Sequence, residues 1–256
     1  QKMAASFTFY YWPCPGRGIF VRALFAFTGT PLREATTEEI MRIKSAPPAE
    51  QPVPLRAPPF LVDHDAEGGP FAVSQLPAVC QYAAHRLGLL PETDVRTRCL
   101  ALKVVCDAND VLGELWLHNG DVTKDGEYVM WDQAAYNKFR EGRLVDWMRQ
   151  WEGLAQRFGC RADQGFLLGT PRATLADVCT WALWVTMARC VPALAKPIHE
   201  HMPTVMGLCA RLEREQPALA ALQQRDADVW GELYCGGMIE RSIREVVRAS
   251  KDGSKE

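Results

Sequence analysis

The alternation of hydrophobic and polar positions changes character along the chain. Near the start, "SFTFYYW" alternates and is rich in aromatic and β-branched residues, which predicts a strand. "GIFVRALFAFTG" then places Phe20, Leu24 and Phe27 on one helical face and ends at Gly29. The proline-rich "SAPPAEQPVPLRAPP" is typical of neither a helix nor an inner strand. "FLVD" and "FAV" predict two further strands, and "QLPAVCQYAAHRLGL" predicts a helix that ends before Pro91. This order, β-α-irregular-β-β-α, indicates a compact mixed domain.

From Val95 onward the apolar residues have helical spacing almost throughout. "RTRCLALKVVCDANDVLGELWL" and "AAYNKFREGRLVDWMRQWEGLAQRF" predict long amphipathic helices, separated by the polar break "HNGDVTKDGEY". "ATLADVCTWALWVTMARCV" is apolar nearly all round, which predicts a helix buried in the middle of a bundle. "TVMGLCARLERE" and "RSIREVVRAS" predict shorter helices, and "KDGSKE" a frayed end. The sequence therefore predicts two domains, residues 1–91 and residues 95–256.

Composition narrows the class of protein. Hydrophobic residues make up 48% and charged residues 23% of the 256 positions, as in ordinary soluble globular proteins. A formal net charge of -2 argues against nucleic acid or an anionic membrane as a partner, and no apolar run approaches the roughly 20 residues of a membrane span. The nine cysteines are odd in number and form no C-x-x-C pair, which favours a reducing compartment without disulfides. We expect a cytoplasmic protein, or an organelle matrix if a targeting segment preceded Gln1.

A metal site is not expected. "HEH" at residues 199–201 is the one histidine cluster among five histidines. No cysteine or carboxylate cluster stands at zinc spacing near it, so structural or solvated histidines are the favoured interpretation.

Three motifs carry a resemblance to a known family. "YYWPCPGRGIFVR" resembles the start of the sigma-type cytosolic glutathione transferases, in which a strand ends in a tyrosine and a Gly-Arg pair opens the first helix. "PPFLVD" resembles their cis-proline segment, and "TLADV" after "FLLGT" resembles the start of their buried helix. The resemblance covers about residues 7–220. It implies an α+β thioredoxin-like N-terminal domain followed by an all-α helical-bundle C-terminal domain. Thr174 would then cap that helix, with Asp177 as the reciprocal carboxylate of a capping box.

The resemblance also implies where the chemistry lies. Only the thiolate of glutathione attacks electrophiles efficiently, so a transferase must stabilise a sulfur anion. Tyr11 takes the position of the family's catalytic tyrosine, and Arg17 the position that supports it. Period-two alternation puts Tyr10 on the opposite face of the strand. Cys14 is the alternative, because "CPGR" resembles the start of omega-type transferases and glutaredoxins, where a cysteine forms a mixed disulfide with glutathione.

The predicted glutathione site departs from the family in three places. A proline lacks an N–H, so with Pro59 as the cis residue Pro58 would lose one of two backbone bonds to glutathione; with Pro58 cis, Ala57 would supply both. At the next helix Gln75 is followed by leucine in place of the family's serine, and Ser74 lies one position early. The family's tryptophan and lysine contacts near the second helix are absent from "EEIMRIKSAPPAEQ", where Lys44 or Arg56 would serve instead. Trp12 is a further predicted contact, and Asp110 resembles the acidic residue that reaches the glutathione amine of the neighbouring subunit.

Three functions follow as hypotheses. The first is a metal-free, homodimeric glutathione transferase of the detoxification type, which uses glutathione as co-substrate to conjugate or isomerise a small electrophile held near Trp12 and Trp116. The second is a transferase-fold protein that has lost its chemistry and serves as an assembly or binding module. The third is a thiol transferase that depends on Cys14. "LYCGGMIERSIREVV" extends past the family's usual end and would cap the pocket or bind a protein partner.

Overall fold

The computed structural model describes residues 6–117, 131–234 and 243–247, without the side chains of residues 116 and 117. Within these ranges, the small mixed domain comes first and the helical bundle follows.

The first domain contains a four-stranded sheet and three helices. The strands are β1 (Phe7–Tyr10), β2 (Arg33–Glu34), β3 (Phe60–Asp63) and β4 (Phe71–Ser74), and the helices are α1 (Gly18–Thr28), α2 (Thr37–Ser45) and α3 (Leu76–Arg86). The strand order is β2-β1-β3-β4, with β1 parallel to β2 and the other neighbours antiparallel. This is an α+β arrangement, as the sequence predicts.

Two elements of this domain escape the hydrophobic pattern. β2 has only two residues, both exposed, and α2 buries only Ile40 among its nine residues. With a single buried position, α2 has no apolar stripe that periodicity can detect. Its start is instead fixed by Thr36 and Glu39, because each side chain bonds the backbone N–H of the other. The proline-rich segment that follows contains one 3₁₀ turn at Pro48–Glu50.

The register of the sheet determines where a site can form. Tyr10 at the end of β1 lies opposite Phe60 at the start of β3, and Phe60 lies opposite Ser74 at the end of β4. The residues just beyond these positions, which are Tyr11, Pro59 and Gln75, therefore meet at one edge of the sheet.

The second domain is helical throughout its described parts. Its helices are α4 (Val95–Leu117), α5 (Gln133–Lys138), α6 (Leu144–Arg157), α7 (Leu175–Cys190), α8 (Ala195–His201), α9 (Pro203–Glu215), α10 (Pro217–Trp230) and a terminal helix at 243–247. A five-residue π-helical turn, Phe139–Arg143, joins α5 to α6, where the sequence predicts one continuous helix. The predicted polar break at residues 118–128 and the last six residues lie outside the described residues.

The buried helix α7 connects the two domains. Thirteen of its sixteen residues are buried, and it packs against α4, α9 and also α1 of the first domain. Trp181 and Trp184 are fully buried, which confirms that these tryptophans belong to the core. Among the described residues, no single helix is both long and apolar enough to cross a membrane, although α7 with the bent segment Pro192–His201 passes on length and composition alone.

The start of α7 is the predicted capping box. The Thr174 backbone N–H donates to Asp177 Oδ2 at 2.8 Å, and the Thr174 hydroxyl donates to the same oxygen at 2.9 Å. The Leu167 N–H donates to Asp177 Oδ1 at 2.8 Å. Burial raises the pKa of Asp177, and these three hydrogen bonds oppose that rise. Asp177 therefore ties the loop before α7 to the first turn of the helix.

Candidate functional site

The turn between β1 and α1 is built around the Tyr11 side chain. The Tyr11 hydroxyl accepts a hydrogen bond from the Arg17 backbone N–H at 2.9 Å, and the residue is 7% exposed. Gly16 adopts φ +39°, a conformation that favours glycine. A Cβ at Gly16 would lie 2.5 Å from the hydroxyl oxygen, and one at Gly18 would lie 2.5 Å from the ring. The phenol thus rests against bare backbone at the entrance to α1.

Arg22, on α1, fixes the loop that leads into this turn. Its Nη1 donates to the Cys14 carbonyl at 2.6 Å, its Nη2 donates to the Trp12 carbonyl at 3.2 Å, and its Nε donates to Glu34 at 2.8 Å. The arginine side chain is 6% exposed, so these bonds replace water around a buried charge. The sequence does not predict these contacts of Arg22, because its partners lie eight or more residues away.

Cys14 sits inside this loop rather than at the start of the helix. It is 6% exposed, and α1 begins four residues later, at Gly18. A thiol that is to form a mixed disulfide must be reached by its partner sulfur. Tyr11 is buried to nearly the same extent, so exposure does not separate the two candidates; Tyr11 differs in that its hydroxyl accepts the Arg17 N–H.

Arg17 joins the turn to the helical domain. Its backbone N–H holds Tyr11, while its side-chain Nε donates to Asn109 Oδ1 on α4 at 2.9 Å. Asn109 is a contact that the sequence does not predict; its only signal is its position beside Asp110 in "DANDVLG". Asp110 is exposed, and partial desolvation, followed by the negative charges of Asp107 and Glu114, raises the pKa of its carboxyl.

Two further predicted contacts, Trp12 and Lys44, lie together. The Lys44 ammonium stands 5.8 Å from the centre of the half-buried Trp12 ring, within the range of a cation–π contact. Tyr10 has different surroundings, because its ring stacks on Phe60 with centroids 4.1 Å apart. Burial, and then Glu39, raises the pKa of the Tyr10 hydroxyl. The two adjacent tyrosines therefore occupy separate environments.

The cis peptide bond lies between Pro58 and Pro59, so Pro59 is the cis residue. Both prolines are buried, whereas the preceding Arg56 and Ala57 are exposed. The position before the cis residue is thus Pro58, which has no N–H to offer. Its carbonyl is the one backbone group that it can present to a ligand.

The turn between β4 and α3 completes the edge. Gln75 is the one described residue other than glycine with positive φ, at 75°, and its N–H donates to the Pro59 carbonyl at 3.2 Å. Such conformations cost free energy and cluster where a ligand is held. Ser74 is half-buried, and Leu76, at the position of the family's serine, is buried. Pro77 in the first turn of α3 removes one of the N–H groups that would face an anion.

The remaining predictions concern Trp116, the cysteines and a metal site. The side chain of Trp116 lies outside the described residues. The eight cysteines in the described ranges are free thiols. Within those ranges no group of three or more His, Cys, Asp or Glu side chains is placed to hold a metal ion.

Comparisons with solved structures agree with this architecture. A sigma class glutathione transferase from Fasciola hepatica is 18% identical, with a TM-score of 0.64 over 86% of this chain and 96% of that chain. A glutathione transferase family member from Pseudomonas fluorescens, solved with two glutathione molecules bound, is 19% identical, with a TM-score of 0.60 over 86% and 93%. Prostaglandin synthase D of Nilaparvata lugens is 14% identical, with a TM-score of 0.60 over 86% and 97%.

A search of curated protein sequences found no match. The family model described as "Glutathione S-transferase, C-terminal domain" matches residues 100–246, which is more than half of the chain. This protein therefore belongs to the glutathione S-transferase family.

Proposed function

We propose that this protein is a glutathione transferase that activates the glutathione thiolate through the Tyr11 hydroxyl. The observation that carries the proposal is the hydrogen bond from the Arg17 N–H to that hydroxyl, at the edge where three segments of the first domain meet. Hydrogen bonds in a chain polarise one another, so a phenol that accepts a backbone bond is a stronger donor to a sulfur anion. This donor favours the charged form of the thiol.

The proposed reaction joins glutathione to a small electrophile, by addition or displacement, or isomerises the electrophile. In conjugation the glutathione thiol gives up its proton to water, and the thiolate forms a carbon–sulfur bond. A leaving group then departs with its electron pair, or a double bond accepts the electron pair and takes up a proton from water. Trp12 and Lys44 border the same turn, and we propose that they contact glutathione.

We propose that this protein binds glutathione more weakly than is usual in its family. Pro58 cannot donate a backbone bond, and Leu76 supplies no hydroxyl at the start of α3. Each missing hydrogen bond costs about 0.5–1.5 kcal/mol, or roughly a factor of two to ten in affinity. The Ser74 hydroxyl and the N–H groups of Leu76 and Ala78 are the proposed contacts of the γ-glutamyl carboxylate, with the exposed Arg56 and Ala57 at the border of the site.

We also propose a homodimer in which Asp110 faces the glutathione amine of the partner protomer. Asp110 is exposed on α4, directly after Asn109, the residue that accepts the hydrogen bond from Arg17 Nε. A carboxylate attracts the α-ammonium group of glutathione. Light scattering of the purified protein measures the oligomeric state directly.

The test begins with calorimetric titration of the protein with reduced glutathione, followed by assays with a panel of small electrophiles. Tyr11→Phe should lower kcat by roughly a hundredfold, as is usual when one donor to a reacting anion is removed. Tyr10→Phe is the matched control and should keep the parent rate, because that ring stacks on Phe60. Equal rates for Tyr11→Phe and the parent protein would overturn the role of Tyr11.

A second candidate function is a binding module without chemistry. The buried Leu76 and the proline at position 58 favour it, because both remove contacts with glutathione. If calorimetry detects no heat of binding at about ten millimolar glutathione, which is on the order of the weakest useful affinity, this candidate is supported. A dependence of activity on Cys14 is the third: Cys14→Ser would abolish it, although the thiol is buried.

A further inference from the structure

The chain after α10 returns to the candidate active site. We define the C-terminal turn as Gly231–Tyr234. The Tyr234 carbonyl accepts a hydrogen bond from the Gly16 backbone N–H at 2.7 Å, and the Tyr234 residue is 1% exposed. A bond between residues 218 positions apart, at the turn that holds Tyr11, is a contact that the sequence pattern does not predict.

The helical domain holds the C-terminal turn at two places. Arg189, near the end of α7, donates from Nη1 to the Gly231 carbonyl, and the neighbouring Cys190 thiol donates to the Leu233 carbonyl at 3.6 Å. The arginine is itself oriented, because its Nε donates to Gln223 Oε1 on α10 at 2.8 Å. The amide of Gln223 donates in turn to the Thr186 hydroxyl at 2.6 Å. A polar network inside the bundle thus fixes the turn.

Gly16 passes this constraint to the tyrosine. Gly16 lies in the β1–α1 turn, two residues before α1 begins, and the Tyr11 hydroxyl occupies the space that a Cβ at Gly16 would fill. The next residue, Arg17, donates the backbone bond to that same hydroxyl. A displacement of the Gly16 peptide would therefore move both the surface under the phenol and the donor to its oxygen.

We propose that the C-terminal turn is a positioning element for Tyr11, with Arg189 and Cys190 as positioning residues that act through the Tyr234 carbonyl and Gly16. The proposal rests on the proposed function, because Tyr11 is the residue positioned. The C-terminal turn thereby sets the strength of the hydrogen bond from Tyr11 to the glutathione thiolate and does not contact the electrophile.

The helical domain offers a matched control for each positioning residue. Arg211 also bonds a glycine carbonyl, that of Gly165, but this contact lies within the bundle and away from the β1–α1 turn. Cys209 is, like Cys190, a buried helix thiol, at 1% against 2% exposure. Arg189→Met is thus compared with Arg211→Met, and Cys190→Ala with Cys209→Ala. Arg189→Lys restores a donor and serves as the conservative rescue.

The first measurement is the pKa of the bound glutathione thiol, from the ultraviolet absorbance of the thiolate as a function of pH. Arg189→Met should raise this pKa by about 0.7 of a unit, since a hydrogen bond weakened by roughly 1 kcal/mol corresponds to that shift. Cys190→Ala should shift it in the same direction by less, and Arg189→Lys should return part of the effect. The Arg211 and Cys209 variants should lower only the melting temperature. Equal pKa values for folded Arg189→Met and for Arg211→Met would overturn the proposal.

The second measurement needs no glutathione. Amide hydrogen exchange of the segment 14–20 should become about fivefold faster in Arg189→Met, because the Gly16 N–H loses a fixed acceptor, and should be unchanged in Arg211→Met. If the parent protein does not bind glutathione, the proposed function fails while this exchange still tests the contact. If glutathione binds and Tyr11→Phe lowers activity, but exchange is equal in the two arginine variants, only the positioning role fails.

Discussion

The starts of α1 and α7 solve the same problem in opposite ways. The first N–H groups of any helix have no partner within the helix. At α7 the solution is local and closed, since Asp177, three residues from Thr174, accepts bonds from it and from Leu167. At α1 the side chain of the N-cap residue Arg17 does not cap the helix, and the Arg17 N–H donates to the Tyr11 hydroxyl instead. The donors at the start of α7 are satisfied by a carboxylate of its own first turn, whereas the donor at the start of α1 bonds the phenol that we propose contacts glutathione.

The largest expected change in stability is at the start of α7, where the hydrogen bonds are local and closed. Asp177→Ala removes the acceptor of three buried donors and should lower the free energy of unfolding by about 3 kcal/mol or more. Glu39→Ala is the matched control, because it removes the carboxylate of the capping box of α2 at the protein surface and should cost about 1 kcal/mol. Urea unfolding measures both. Equal losses would show that burial adds nothing to this cap.

The open start depends on a glycine that a side chain cannot replace. Gly16→Ala should destabilise the protein by about 2 kcal/mol or more, because it combines a positive φ with a Cβ that would lie 2.5 Å from the Tyr11 hydroxyl. Gly29→Ala isolates the first of these causes, since Gly29 has φ +66° and nothing within 4 Å of its Cβ. It should cost about 1 kcal/mol. Thermal unfolding that ranks Gly29→Ala as the more harmful change would contradict the close packing at Tyr11.

Arg17 links the open start to the second domain through one side-chain bond. Asn109→Ala removes the acceptor of Arg17 Nε and should lower the free energy of unfolding by about 1 kcal/mol. Asn137→Ala is the control, because its amide accepts a bond from Gln133 within α5 only. Amide exchange near residues 14–20 should rise in the first variant alone; a rise in both would mean that the bond to α4 does not hold the turn.

The same contrast explains what sequence can and cannot predict. The cap of α7 is predicted because its partners stand three residues apart and follow a known pattern, and the strand and helix around Tyr11 are predicted from periodicity. The contacts of Arg22 with residues 12 and 14, of Arg17 with Asn109 and of Gly16 with Tyr234 join distant parts of the chain, and no local pattern encodes them. α2 is not predicted because it buries one side chain, and α8 and α10 lie in segments without a clear apolar stripe. Tyr11, Pro59 and Gln75 thus meet at one edge of the sheet, but the contacts that hold them there are found only in the fold.

The start of α3 is a third case, in which neither a cap nor a phenol is present. Gln75 makes no side-chain cap, and Leu76 is buried where the family has a serine. Leu76→Ser should increase the affinity for glutathione by roughly two- to tenfold, because one hydroxyl is restored to the proposed carboxylate contact. Loss of a buried leucine will also lower stability, so Leu76→Ala is the control that removes the same packing without adding a hydroxyl. Calorimetry at a temperature where both variants are folded separates the two effects.

Tighter binding in Leu76→Ser than in Leu76→Ala would mean that this helix start is an open ligand site weakened by one substitution. Equal binding would mean that the start of α3 does not meet the ligand, and the contrast between closed and open helix starts would then rest on α1 alone.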